Sequence, residues 1–132
     1  MSQSRAELDA ELALEERCAV MAAAGVDHDP ATGEALTIRQ MVLRDAERLV
    51  TGARADDYGP PDESFARIAD GWNWWLRARG RDADLDAEDV AAMLALLKLA
   101  RAAQTPAHAD SWVDLAGYAA CAAEVAGAKP GA

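Results

Sequence analysis

This sequence has very little from which a β-sheet could be built. It contains one Phe and two Tyr, and no run of the Val, Ile and Thr residues that favour strands. Its two cysteines, Cys18 and Cys121, both fall in helical patterns and make neither a disulfide framework nor a zinc site. No stretch reaches the roughly 18 uncharged apolar residues of a membrane span, and the acidic start does not read as a signal peptide. Basic residues are also few: 13 Lys and Arg stand against 23 Asp and Glu, for a net charge of −10. A surface of that sign repels duplex DNA, so no duplex partner is expected. It suits a carboxylate site for a divalent metal, a mimic of nucleic acid offered to a basic protein, or plain solubility. Together these absences predict an all-α protein, without membrane contact and most simply cytoplasmic.

What is present is 132 residues, 52% of them hydrophobic, rich in Ala and Leu at helical spacing. That is enough for one domain with a core and too short for two ordinary ones. The pattern predicts a compact helical bundle of about five helices. Ser4 and Glu7 form a capping box before Leu8, Leu12, Val20 and Met21, and Gly25 ends that helix. Thr37 and Gln40 open a second helix, which Gly52 closes. Residues 54–64 hold too much Gly, Pro and Asp for a helix. Asp62 is placed to cap the third helix, Asp86 the fourth, and the fifth runs from about 109 to 126. The organisation read from this is an N-terminal helix and linker over 1–36, the bundle over 37–126, and a flexible tail over 127–132. Phe65, Ile68, Trp72, Trp75, Leu94, Leu97, Trp112 and Leu115 are the expected core. Trp74 points off that face as an expected subunit contact.

Residues 86–118 carry the chemistry. Val90 to Leu97 is apolar almost all the way round, which predicts a helix at the centre of the bundle. Lys98 and Arg101 follow, then a turn near Pro106, then Asp110 and Asp114 on the next helix. Folding back at Pro106 brings Lys98 level with Asp114, and Arg101 level with Asp110. Buried charges are costly unless paired or used. Asp110 and Asp114, one turn apart, can chelate a hard cation such as Mg. Equally, Asp110 can be a first-turn residue favoured by the helix dipole and Asp114 a structural partner of Lys98. Lys98 and Arg101 can grip phosphate oxygens or serve only as ion pairs. Around them, Arg54, Tyr58 and Phe65 suit contact with a nucleotide, Tyr58 being equally suited to a packing lid. His108 stands before the fifth helix as a cap or a ligand contact.

The succession Arg54, Tyr58-Gly59, Phe65, Ile68, Trp72, then Leu97-Lys98-Leu99-Ala100-Arg101, then His108, Asp110, Trp112, Asp114 and Tyr118 resembles a group of bacteriophage and prophage proteins. These in turn are similar to the MazG-like all-α nucleoside triphosphate pyrophosphohydrolases, over about residues 38–126. The resemblance implies a homo-oligomeric, Mg-dependent enzyme that cleaves a nucleotide between its α and β phosphates. In it Asp110 and Asp114 hold metal, Lys98 and Arg101 neutralise developing charge as catalytic groups, and Arg54, Tyr58, Phe65 and His108 bind substrate. That family carries an E-x-x-E pair on one helix and E-x-x-D on the next. Here Ser111 stands at the Glu of the second motif, and Lys98-x-x-Arg101 occupies the region of the first. Glu47 on the second helix is the carboxylate available as a replacement metal ligand. The rival readings are a nucleotide-binding protein without catalysis and an acidic phage accessory protein that binds a host protein.

Overall fold

A computed structural model of the chain describes residues 3–131, apart from the side chains of residues 53–55. Among the described residues it is all-α, with helices α1 (Arg5–Ala23), α2 (Ile38–Thr51), α3 (Ala53–Tyr58), α4 (Pro61–Ala78), α5 (Ala87–Gln104) and α6 (Ala109–Val125). Contacts group residues 1–41 and residues 42–132 into two compact units.

Local chemistry sets most helix starts. Ser4 and Glu7 make the reciprocal capping bonds that begin α1. Thr37 and Gln40 do the same for α2. Asp86 and Asp89 complete a third such box, each carboxylate accepting from the other's backbone N–H at 3.0 Å. Asp89 is thereby a capping residue of α5. The start of α4 differs from expectation: Pro60 is its N-cap and Pro61 its first residue, so Asp62 lies inside the first turn. Proline suits that place because its missing N–H has no partner there and its φ is already helical. The expected loop over 54–64 is also shorter than its composition suggested, since α3 occupies its first half.

In the first unit, residues 27–36 form a tight turn closed by an antiparallel bridge between His28 and Ala35. Gly33 has φ +68° there, and a Cβ would stand 2.9 Å from the Arg17 Cβ, so glycine is needed on both counts. No residue of α1 is buried.

In the second unit α4, α5 and α6 surround a core of Phe65, Ala69, Val90 and Ala91. Ile68, Trp72, Leu94, Tyr118 and Cys121 are packed against it. Gly117 on α6 is buried, and the Val50 Cγ1 of α2 lies 3.5 Å from where its Cβ would stand, an ordinary contact distance. Phe65 is buried as expected, and Ile68, Trp72, Leu94 and Leu115 are half-buried. Trp75, Leu97 and Trp112 are exposed, contrary to expectation. The reason is geometric: three helices can cover only one side of each other. On α5 that side carries Val90, Ala91, Leu94, Lys98 and Ala102, and the opposite side faces outward despite its leucines. The run from Val90 to Leu97 is therefore apolar all round but central on one face only.

No helix among the described residues is long and apolar enough to cross a membrane.

Candidate functional site

Helices α5 and α6 form an antiparallel hairpin joined by residues 105–108. Its turn is held by the indole of Trp112, whose Nε1 donates to the Pro106 carbonyl at 2.8 Å. This explains how a Trp can be partly exposed and still structural: its ring edge fixes the turn while one face meets water.

Within the hairpin Lys98 Nζ lies 2.6 Å from Asp114 Oδ2. Both side chains are largely withdrawn from water, at 15% and 26% exposure. Lys98 follows Val90, Ala91 and Leu94 on the inner side of α5, so its stem runs along the apolar seam. Asp114 follows Ser111 and precedes Gly117 and Tyr118 on the inner side of α6. The eight-residue spacing on each side of Pro106 does bring these two level.

The second expected pair does not form. Arg101 and Asp110 are both exposed and make no ion pair with each other among the described residues. Arg101 sits a further turn along α5, about 60° off the line of Lys98. Asp110 is in the first turn of α6, where the dipole favours its charge without a partner. Ser111, at the place of the missing Glu, is buried at 4%. Its hydroxyl meets His108 Nδ1 at 3.3 Å. His108 thus belongs to the N-terminal turn of α6 and contacts Ser111 directly.

The remaining candidates spread out. Glu47 is exposed on α2, and no three His, Cys, Asp or Glu side chains among the described residues group as a metal site. Glu47, Asp110 and Asp114 are accordingly not gathered into one cluster. Phe65 is spent on the core, its ring centroid 6.5 Å from that of Tyr118, rather than open for stacking. Tyr58 is exposed, and its carbonyl accepts from Arg67 Nη2 at 3.4 Å. The Arg54 side chain lies outside the described residues.

One residue that positions the hairpin was missed in the sequence. Asn73 is buried, its Nδ2 donating to the Leu85 carbonyl and its Oδ1 accepting from the Leu85 N–H, both at 2.8 Å. It ties α4 to the residue just before the Asp86 cap and so fixes where α5 begins. The signal was available: Asn73 falls four residues after Ala69 and eight after Phe65, a polar group in an apolar stripe. Cys121, also on the inner side of α6, has its thiol pushed up by burial and by the nearby Glu124 carboxylate.

Among the described residues this arrangement offers one compensated cation–carboxylate pair inside the hairpin, with an exposed guanidinium and an exposed carboxylate beside its turn.

Two curated relatives share this region. The chain is 44% identical over 78 residues to the Gene 55 protein of Mycobacterium phage L5, covering 59% of this chain and 47% of that protein. It is 39% identical over 82 residues to the Gene 55 protein of Mycobacterium phage D29, covering 62% and 51%. The chain thus spans about half the length of the curated relatives it matches. No solved structure matches. A family model matches residues 41–126, a span that takes in the Asn73 clamp, the whole α5–α6 hairpin and the Lys98–Asp114 pair. On that match the chain belongs to the family described as Domain of unknown function (DUF6378) and has relatives encoded by mycobacteriophages.

Proposed function

We propose that this chain binds nucleoside triphosphates, as their magnesium complexes, at the α5–α6 hairpin. The observation that supports it most is the Lys98–Asp114 pair at 2.6 Å, withdrawn from water beside exposed Arg101 and Asp110. A half-buried ion pair contributes little to stability compared with apolar residues of similar volume, so its presence asks for a use. In the bound state Asp114, released from Lys98, and Asp110 would be the residues that hold magnesium. Lys98 and Arg101 then turn to the phosphates, Arg101 as a fork and Lys98 as a point charge. The exchange keeps each charge compensated throughout.

A second reading, hydrolysis of the nucleotide between its α and β phosphates, is favoured by the order Asp110, Asp114, Tyr118 and its likeness to the MazG-like second motif. Magnesium would supply polarisation of the phosphates and activation of a water. The chain's own part would be to hold the ion through Asp110 and Asp114 and to meet developing negative charge with Lys98 and Arg101. With two carboxylates on α6 and none gathered from α2, one chain provides ligands for a single ion.

One screen tests both. The full chain is melted with each nucleoside triphosphate, with and without magnesium, and the same mixtures are assayed for product. Binding predicts a magnesium-dependent rise in Tm that disappears in Arg101→Ala. A rise with no product keeps binding and rejects hydrolysis. No Tm change with any nucleotide rejects the proposal as a whole.

A further inference from the structure

Helix α4 holds a glycine for which the chain itself gives no reason. Gly71 lies well inside the 18 residues from Pro61 to Ala78. Its φ is not positive, and a Cβ added there would meet nothing within 4 Å. Backbone conformation and internal packing would both accept alanine, which a helix interior favours over glycine. What is left for glycine to serve is close approach from outside the chain.

Two indoles flank the position. Trp74 and Trp75 follow it by three and four residues, which places them about 60° to one side and about 40° to the other. Helical side chains lean towards the N-terminus, so both rings reach back towards the level of Gly71. They are 69% and 56% exposed, and neither covers the glycine. The result is an open notch with backbone as its floor, on a side of α4 turned away from the buried Phe65, Ala69 and Asn73.

The charges along this arc have one sign. Arg67 stands one turn before Gly71, between the directions of the two indoles. Arg79 closes the other end, its guanidinium carbon 5.8 Å from the Trp75 ring centroid. Neither arginine makes an ion pair among the described residues. Glu63 and Asp70 lie outside the arc, beyond Trp74, and Arg77 on another side is held by the Ala83 carbonyl and Asp84. In a protein of net charge −10, a positive arc with open indoles fits an anion that carries flat rings.

We propose that this notch binds single-stranded DNA, one base entering over Gly71 between the indoles while Arg67 and Arg79 meet phosphates on either side. Aromatic rings accept any base, and arginines beside them follow the strand. Bases already paired in a duplex cannot enter. Gly71 and Ala78, the small residues of the arc, carry no group to read a 2′-hydroxyl, so nothing there selects RNA. A second copy is a poor occupant: antiparallel arcs crossing at position 73 would set Arg67 against Arg79, and parallel arcs would set each arginine beside its equivalent.

Fluorescence anisotropy of a labelled oligothymidylate of about 12 nucleotides, within the range of known single-strand sites, tests this when titrated with the full chain. At about 50 mM salt the strand should bind, and log affinity should fall against log salt with a slope of about −1.4, the value for two phosphate contacts. Gly71→Leu is the decisive variant. It fills the notch, yet its Cβ has open space and leucine is the better helix former. Its Tm should therefore hold or rise while affinity falls about 10-fold or more. Trp74→Ala, at an exposed side chain, should weaken binding by a similar factor, and Arg79→Gln should take about 0.7 off the salt slope. No anisotropy change at low salt would overturn the proposal, as would unchanged binding in both Gly71→Leu and Trp74→Ala. A duplex that binds as well as the strand would refute the notch, and tighter binding of oligouridylate would refute the assignment to DNA.

Discussion

Removing the carboxylate of Asp114 asks how much the ion pair inside the hairpin contributes. At 2.6 Å the direct attraction is of order 6 kcal/mol at an effective dielectric of about 20. Most of it is offset by the cost of withdrawing both groups from water. An exposed pair of this kind is worth about 0–1 kcal/mol, and breaking a fully buried one costs about 3–5. With 15% and 26% of the two side chains exposed, Asp114→Ala should fall between these limits, near 2–3 kcal/mol. Asp114→Asn keeps an acceptor for Lys98 and loses only charge, so about half that cost is expected. Lys98→Met in the Asp114→Ala background should recover most of the loss, because no cation is then left without its partner. Urea unfolding of wild type, Asp114→Ala, Asp114→Asn, Lys98→Met and the double variant, followed by circular dichroism, gives the values and the coupling between the two positions. A cost under about 0.5 kcal/mol for Asp114→Ala, with no coupling, would make the pair an ordinary surface contact. The functional reading of the hairpin would lose its main support with it.

Asn73→Ala should cost about 2–4 kcal/mol in the same assay, since it strands the N–H and carbonyl of Leu85 beside the α5 cap. Asn73→Asp should be no better, because a carboxylate oxygen would then face the Leu85 carbonyl. Trp112→Phe should cost about 1 kcal/mol by freeing the Pro106 carbonyl, with amide exchange in residues 105–108 rising more than in the rest of α6. Burial and Glu124 raise the Cys121 thiol, so its thiolate forms only at higher pH than that of an ordinary cysteine. Its alkylation rate should still be climbing with pH where a free thiol's has levelled, and Glu124→Gln should move that profile to lower pH.

The helices were legible because their signals are local. Ser4, Thr37 and Asp86, each with an acceptor-bearing side chain three residues on, announce their own helix starts. Where a short element depends on its neighbours, as α3 does between two prolines and a glycine, composition pointed the wrong way. At the site, equal spacing about Pro106 correctly paired Lys98 with Asp114. The same arithmetic failed for Arg101 and Asp110, because being level along two helices does not put two side chains on facing sides. Burial was harder still. Trp72, Trp75, Leu94 and Leu97 all follow helical spacing, but the covered arc of each helix depends on how many neighbours it has, which spacing alone does not state. Asn73 was passed over because a polar residue in an apolar stripe looks like an interruption until its partner, the Leu85 backbone, is known.

The composition of the second unit connects these points. Its buried core is Phe65 with Ala69, Val90 and Ala91, and Val90 is the largest side chain that is fully enclosed. Small residues let α4, α5 and α6 approach closely, but they bury little apolar area, and burial is the main favourable term in folding. Meanwhile Met93, Leu96, Leu97 and Leu99 of α5 are exposed. A helix with alanine and valine turned inward and leucine outward buries little of its own apolar surface, so a tie such as the Asn73 clamp weighs heavily in the stability of the unit. Asn73→Ala should therefore lower Tm, whereas Leu96→Glu changes a side chain that already meets water and should leave Tm close to that of wild type. A loss at Leu96→Glu as large as that at Asn73→Ala would show that the outer leucines are withdrawn from water in solution.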